Sequence, residues 1–219
     1  MAVWRNTIPS RDELYEAKRE VLLREAASAF NRHGFHATSL DDIAQRLGLT
    51  KAALYHYFPS KQTLLSACFT RAMEVAFASL DRARGEGGTG RDTLRRTVSY
   101  YLEQMIDELS CCVVLLEENA LRPADHAALV HQRDRFENAL RGLVRDGIAD
   151  GSIVTCDPKL VVFAMLGAIN WIPKWFRHSG EWSAPQLTVA LMELFDRMLS
   201  TNPSAALASA VGQEAPATT

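Results

Sequence analysis

Apolar residues recur along this chain at intervals of three and four, and that spacing predicts helices nearly throughout. Between Ala17 and His33 the positions Leu22, Ala26, Ala29 and Phe30 share one face, and Gly34 stops the helix. Ser39 reads as a cap, with Asp42 three residues on to complement the exposed amides. Leu40, Ile43, Ala44 and Leu47 then make one stripe, and Gly48 ends a helix of barely two turns. Thr50 reads as the cap of a third, very short segment from Lys51 to Tyr57, with Leu54 and Phe58 on its inner face. Pro59 breaks it, and Ser60 caps a long helix from Lys61 to about Arg84 with Leu65, Cys68, Phe69, Ala72, Met73 and Ala76 as its buried stripe.

The run Gly85 to Gly90 reads as a flexible loop. Five further helices follow: Arg91 to Leu109, Ser110 to Ala120, Pro123 to Ala149, Asp157 to Phe176, and Ser183 to Leu199. Pro123, Pro158 and Pro185 fall where a first helical turn tolerates proline, whereas Pro173 lies inside a helix and is expected to kink it. Residues 1–16 read as a flexible arm, 17–62 as one small helical domain, 63–200 as a larger one, and 201–219 as a disordered tail. The expected class is all-α: a three-helix N-terminal domain with a helix-turn-helix, followed by a larger helical domain.

Composition narrows the picture. The chain has 219 residues, 47% hydrophobic and 23% charged, which is ordinary globular composition. The most apolar runs, Cys111 to Leu116 and Leu160 to Ile169, fall short of the ~18 to 20 residues a membrane span needs, so no membrane partner is expected. No secretory signal opens the chain, which places it in a reducing cytoplasm. Net charge is −2, but residues 1–61 carry nine Lys and Arg against seven Asp and Glu, a net of +2. A mildly basic front end on an acidic body is compatible with nucleic-acid binding by the first part alone.

The candidate chemistry lies around Gly48-Leu49-Thr50. Two short helices joined there, with a longer one before them, form a helix-turn-helix pattern. Gly48 permits the sharp turn, Leu49 is expected to plug the angle between the helices, and Leu40, Ile43, Ala44 and Leu47 pack against Leu54. The opposite face of the third helix is then free to enter a major groove, whose width admits one helix. Thr50 and Lys51 stand at the helix N-terminus, where amides favour phosphate. Ala52 keeps the approach close, and Tyr55, His56 and Tyr57 carry polar tips for phosphates or base edges. Lys61 is placed to meet a backbone phosphate. Tyr55 and Tyr57 as packing residues, and His56 and Lys61 as solvated ones, are the alternatives. Arg5, Arg11, Lys18 and Arg19 form either a basic arm or a solvated helix start, since Glu13, Glu16 and Glu20 are interleaved with them.

The blocks Phe30-x-x-x-Gly34-Phe35-x-x-Thr38-Ser39-Leu40-x-Asp42-Ile43-Ala44 and Leu47-Gly48-Leu49-Thr50-Lys51-x-x-Leu54-Tyr55-x-Tyr57-Phe58-x-x-Lys61-x-x-Leu64-Leu65 resemble the N-terminal signature of TetR-type one-component regulators. The resemblance covers about residues 18 to 66. It implies an all-helical homodimer that binds a double-stranded operator and a small-molecule effector, with no cofactor. It further implies that Ser39, Thr50, Lys51, Ala52, Tyr55, His56, Tyr57 and Lys61 sit where family members contact DNA. Ala52 departs from the Gly or Pro of many members, which leaves base preference open.

The rest of the chain supplies apolar stripes, and polar or bulky residues within them are the pocket candidates. Tyr101, Met105, Leu116 and Phe136 lie on such stripes. Asn170, Trp171, Lys174 and Trp175 stand out near the end of an apolar helix, and Trp171 and Trp175 share a face. They either line a pocket or seal the domain. Asn-Trp-x-x-x-Trp-Phe is similar to a stretch in regulators of fatty-acid and sterol catabolism, which implies an acyl-CoA or related lipid effector, with Lys174, Arg177 and His178 placed to face a phosphate or carboxylate. Val161, Met165, Leu187, Leu191, Phe195 and Met198 form the apolar face of the last two helices, and the family resemblance implies that these pair with their copies in a dimer.

Competing classes find less material. Glu117 and Glu118 are adjacent and diverge on a helix, His126 and His131 are poorly spaced, and no phosphate loop, nucleophile elbow or metal motif appears, so no catalytic or metal site is expected. Cys68, Cys111, Cys112 and Cys156 read as small buried residues. A redox switch through Cys111 and Cys112 is the alternative, at the cost of a strained adjacent bridge. A DNA-binding protein without any ligand is another.

Overall fold

The computed structural model describes residues 10–107, 115–177 and 179–201. Eight α-helices and one 3₁₀-helix are found there, with no β-strand among the described residues. They are α1 (Arg11–His33), α2 (Leu40–Arg46), α3 (Lys51–Tyr57), α4 (Lys61–Gly85), α5 (Gly90–Asp107), α6 (Pro123–Ala149), α7 (Pro158–Trp175) and α8 (Ala184–Leu199). The all-α expectation holds. Arg5, Leu109, Cys111, Cys112, Val113, His178 and the tail beyond Thr201 lie outside the described residues, as does the side chain of Leu116.

The chain forms two compact units: the described residues of Met1–Ala72 with those of Glu108–Val130, and of Met73–Asp107 with those of His131–Thr219. In the first unit, α1 starts six residues before the expected Ala17, so residues 11–16 of the expected arm are helical. The cause is a capping box. Ser10 Oγ accepts the Glu13 N–H at 3.1 Å, and Glu13 Oε2 accepts the Ser10 N–H at 2.7 Å. This opening turn carries almost no buried apolar stripe, so periodicity alone misses it. The core of the unit comes from Leu22, Leu23, Ala26 and Phe30 of α1, Ile43 and Ala44 of α2, Leu54, Phe58, and Leu64, Leu65 and Cys68 of α4.

Helix α4 is long and apolar enough, by length and composition, to cross a membrane, but 56% of its most apolar window is buried inside the fold. Core packing accounts for that apolarity. The segment expected as a helix over Ser110–Ala120 is, where described, a 3₁₀-helix over Leu115–Ala120. Leu121 N–H closes it on Glu118 O at 3.0 Å, an i to i+3 bond. Pro123 explains the short element, because it disfavours helical geometry at Arg122.

In the second unit α5 packs along α8. Arg91 and Arg95 of α5 both reach the Asp196 carboxylate, at 3.3 and 2.9 Å. The expected flexible loop shrinks to residues 86–89, because Thr89 and Asp92 form a reciprocal cap on α5. The start of α5 packs its Gly90 backbone on Gly147 of α6, and side chains of the following turn hold it: Gly90 N–H donates to Asp150 Oδ2 at 2.8 Å and Arg91 N–H to Ser152 Oγ at 3.3 Å. Helix α7 continues through Pro173 for a further two residues and closes on a Phe176 N–H to Ile172 O bond at 2.9 Å.

That glycine contact is a sharp constraint. A Cβ on Gly90 would stand 2.6 Å from Gly147 Cα and 2.7 Å from Leu143 O. Gly90→Ala is expected to destabilise the chain by roughly 1–3 kcal/mol, an overpacking cost. Gly85→Ala, where an added Cβ meets nothing within 4 Å, serves as the control. Urea unfolding midpoints of the two variants check this.

Candidate nucleic-acid interface

Helix α2 is set by its cap. Ser39 Oγ accepts the Asp42 N–H and Asp42 Oδ2 accepts the Ser39 N–H, both at 3.0 Å. The Ser39 side chain, and then its backbone N–H, hydrogen-bond to the carboxylate and hold the Asp42 carboxyl below the usual carboxylate range. After Arg46 the backbone turns at Gly48, whose φ is 65°. That left-handed conformation suits glycine and ends the helix. Leu49 N–H returns to Ala44 O at 2.9 Å. The expected plug is absent: Leu49 is exposed and Leu47 half-buried, so the angle between α2 and α3 is held by Ile43, Ala44 and Leu54. Leu49 follows the turn outward because its backbone, rather than its side chain, makes the closing bond.

Helix α3 has only seven residues. Thr50 caps it by accepting the Ala53 N–H at 3.2 Å. Leu54 is completely buried, while Lys51, Ala52, Tyr55 and His56 stay exposed, Tyr55 at 41%. Lys51 Nζ lies 2.8 Å from Asp41 Oδ2 and 5.7 Å from the Tyr55 ring centre. The Asp41 hydrogen bond raises the lysine above its usual range. Thr50, Lys51, Ala52, Tyr55 and His56 thus share one solvent-facing surface, with Ser39 exposed at the start of α2.

Two of the expected contact residues sit differently. Tyr57 is half-buried and stacks on Tyr15 of α1, with ring centres 4.7 Å apart and planes 26° apart. Tyr15 also meets His56 edge-on at 6.3 Å. Tyr15 was not singled out from sequence, because it lies in the opening of α1 that periodicity misses. Lys61 is half-buried and turned inward: its Nζ donates to Phe35 O at 2.7 Å and Thr38 O at 2.8 Å, and stands 4.3 Å from the Phe35 ring centre. Its ammonium ties down the α1–α2 loop instead of facing outward as expected. A charged ammonium with three donors satisfies several of these carbonyls at once.

The second unit also rearranges the sequence expectations. Tyr101, Met105 and Phe136 are buried, and Phe136 packs its ring against Tyr101 at 6.1 Å and Phe77 at 5.6 Å. Asn170 is half-buried and Lys174 exposed. Trp171 and Trp175 are 58% and 48% exposed, so they line no enclosed pocket. Conversely, Val161, Met165, Leu187 and Phe195, expected on a dimer face, are buried in the unit's own core; Leu191 is half-buried and Met198 partly exposed. The large exposed apolar side chains of α7 and α8 are Leu160, Phe163, Trp171, Trp175, Val189, Leu194 and Met198. Both helices are apolar on two faces, and the stripe read from sequence falls mostly on the inner one, with Met198 on the outer. An open groove of about 540 Å³ runs beside α8, lined by Trp182, Pro185, Val189 and Glu193 among others.

A family model described as bacterial regulatory proteins, tetR family, matches residues 22–68. A second, described as tetracyclin repressor-like, C-terminal domain, matches residues 87–199, just over half of the chain. The chain belongs to the TetR family. PfmR from Thermus thermophilus, a TetR-family regulator of known structure, is 33% identical, with a TM-score of 0.70 over 80% of this chain and 97% of that one. The transcriptional repressor KstR2 of Rhodococcus jostii is 25% identical over 167 residues, 74% of this chain and 81% of its own. AibR, whose structure was solved with isovaleryl coenzyme A and operator DNA, shares the fold at a TM-score of 0.68 and 23% identity, over 81% of this chain and 97% of its own. TetR proteins are DNA-binding transcriptional regulators, not enzymes, and this chain is one of them.

In this TetR protein the Lys61 tie makes a distinct expectation. Lys61→Met removes a charged donor from the loop carbonyls and is expected to cost about 1–2 kcal/mol of stability. Hydrogen exchange of the α1–α2 loop and a lowered urea midpoint would show it. A variant with unchanged stability and weakened DNA binding would return Lys61 to the role of a phosphate contact.

Proposed function

We propose that this chain is a homodimeric repressor, displaced from its operator by a small hydrophobic effector such as an acyl-CoA. The observation that carries the DNA half is the burial of Leu54 beneath an exposed Lys51, Ala52, Tyr55 and His56. A helix anchored from behind presents its outer side chains to the major groove in one fixed orientation. Thr50 and Lys51 meet phosphate at its N-terminus, Ser39 meets phosphate from the start of α2, and Tyr55 and His56 reach base edges. Tyr57, stacked on Tyr15, braces that surface from the side.

The dimer reading rests on the outer faces of α7 and α8. Leu160, Phe163, Trp171 and Trp175 are too large and too clustered for a surface left in water. Lys159 and Lys174 of α7 and Glu181 and Glu193 at α8 are exposed beside these apolar side chains, so a two-fold copy of this face would bring both signs of charge to the rim. The core set named from sequence is replaced here by this outer set. Such a dimer would space two α3 helices about 34–36 Å apart, one DNA turn.

The effector reading draws on the buried Tyr101, Met105 and Phe136, and on AibR, a relative in fold seen with isovaleryl coenzyme A. An effector that favours a different α3 spacing weakens DNA binding by the same factor by which DNA weakens the effector, about 5- to 150-fold for a coupling of ~1–3 kcal/mol.

Three outcomes are expected in mobility-shift and sedimentation measurements. Tyr55→Ala and His56→Ala should each weaken operator binding by about 1–3 kcal/mol with the unfolding midpoint unchanged, as base-edge contacts on an exposed face do. In the same mobility-shift assay a series of acyl-CoA thioesters should release the operator, and retention against every member would refute that effector class. Separately, Trp171→Glu should turn the dimer into a folded monomer in sedimentation and abolish tight binding to a two-half-site duplex. A dimer that survives it would move the interface elsewhere.

A further inference from the structure

Two carboxylates open α2, and they do different work. Asp42 closes the cap with Ser39. Asp41 takes no part in that cap. Its Oδ2 crosses to Lys51 Nζ at 2.8 Å, on the exposed side of the turn, and both side chains keep more than half of their surface in solvent. The ammonium at the start of α3 is therefore paired with a carboxylate before any phosphate arrives. An exposed pair of this kind adds little to folding. Its larger consequence is for what Lys51 offers to a polyanion.

We infer that Asp41 is an internal competitor that limits the affinity of this chain for the DNA backbone. The inference rests on α3 being the DNA-reading helix. A phosphate that approaches Lys51 must either displace the Asp41 carboxylate or share the ammonium with it. Either way Lys51 releases less than one full counterion on binding. Phosphate contacts carry no sequence information, so the restraint falls on every duplex alike and leaves discrimination to Tyr55 and His56. Asp42 does not compete in this way, because its carboxylate is committed to the Ser39 N–H.

The test uses the full chain. Wild-type protein selects an operator from a random pool of short duplexes, and affinities are then measured on that operator and on an unselected duplex, across a salt series. Asp41→Asn is expected to bind both about two- to fivefold more tightly near 0.1 M salt. Its plot of log affinity against log salt should steepen by up to about 0.9, the slope of one whole phosphate contact. Lys51→Ala should cost more affinity and more slope in the Asp41→Asn background than in wild type. Asp41→Ala, which cannot hydrogen-bond to Lys51 at all, should act in the same direction. Unchanged affinity and slope in both Asp41 variants overturn the inference. So does a gain that persists in full once Lys51 is alanine, since Asp41 would then act by general repulsion. Failure of the wild-type chain to enrich any sequence overturns the reading of α3 itself.

Discussion

The structure of the reading surface depends on the burial of one leucine. Helix α3 has seven residues, well below the length at which a helix holds itself together in water. It exists because Leu54 is wholly buried, Phe58 follows it into the core, and Thr50 caps its first turn. Successive helical residues lie about 100° apart, so anchoring Leu54 inward leaves no choice for its neighbours. Tyr55 and His56 must face out. Stability and the proposed function rest on the same geometry, and a repacking of Leu54 that rotated α3 by one residue would hide the side chains proposed to face DNA.

This part of the fold was legible because short-range chemistry and packing agree. The caps at Ser39 and Thr50, the glycine turn at Gly48 and the stripe Leu40, Ile43, Ala44, Leu54 all point to the same arrangement. Legibility stopped where only one of these signals was present. The opening of α1 has a cap but little apolar period, so it read as an arm, and Tyr15 was missed with it. Leu49 has the right composition for a plug, yet the closing interaction is its backbone bond to Ala44. Lys61 has the spacing of a phosphate contact, but three-dimensional proximity to the carbonyls of Phe35 and Thr38 claims it first, and no local pattern records a partner more than twenty residues away.

The second unit shows a different limit. Periodicity reports that a helix has an apolar face; it does not report which of two apolar faces points inward. On α7 the series Val161, Met165, Ile169, Ile172 and the series Leu160, Phe163, Trp171, Trp175 are both spaced for a helix. Only packing separates them, and it buries the all-aliphatic set and leaves the set with three aromatic rings outside. A helix apolar on both sides is itself a signal, since it implies cover on both. Within the unit one cover is the core; a second copy of the chain is the natural source of the other.

Charge completes the argument, because identical residue types at this surface meet opposite fates. Lys61 and Lys51 are ten positions apart, and Asp41 and Asp42 are neighbours. Lys61 is half-buried, where an ammonium without acceptors would be costly, so it is held by loop carbonyls. Lys51 is exposed, where pairing is cheap and reversible, so its bond to Asp41 can be exchanged for one to phosphate. Asp42 is held by the helix end it caps, and Asp41 is free to serve the exchange. Burial and backbone geometry, not residue identity, thus decide which charges hold the domain together and which remain available to DNA.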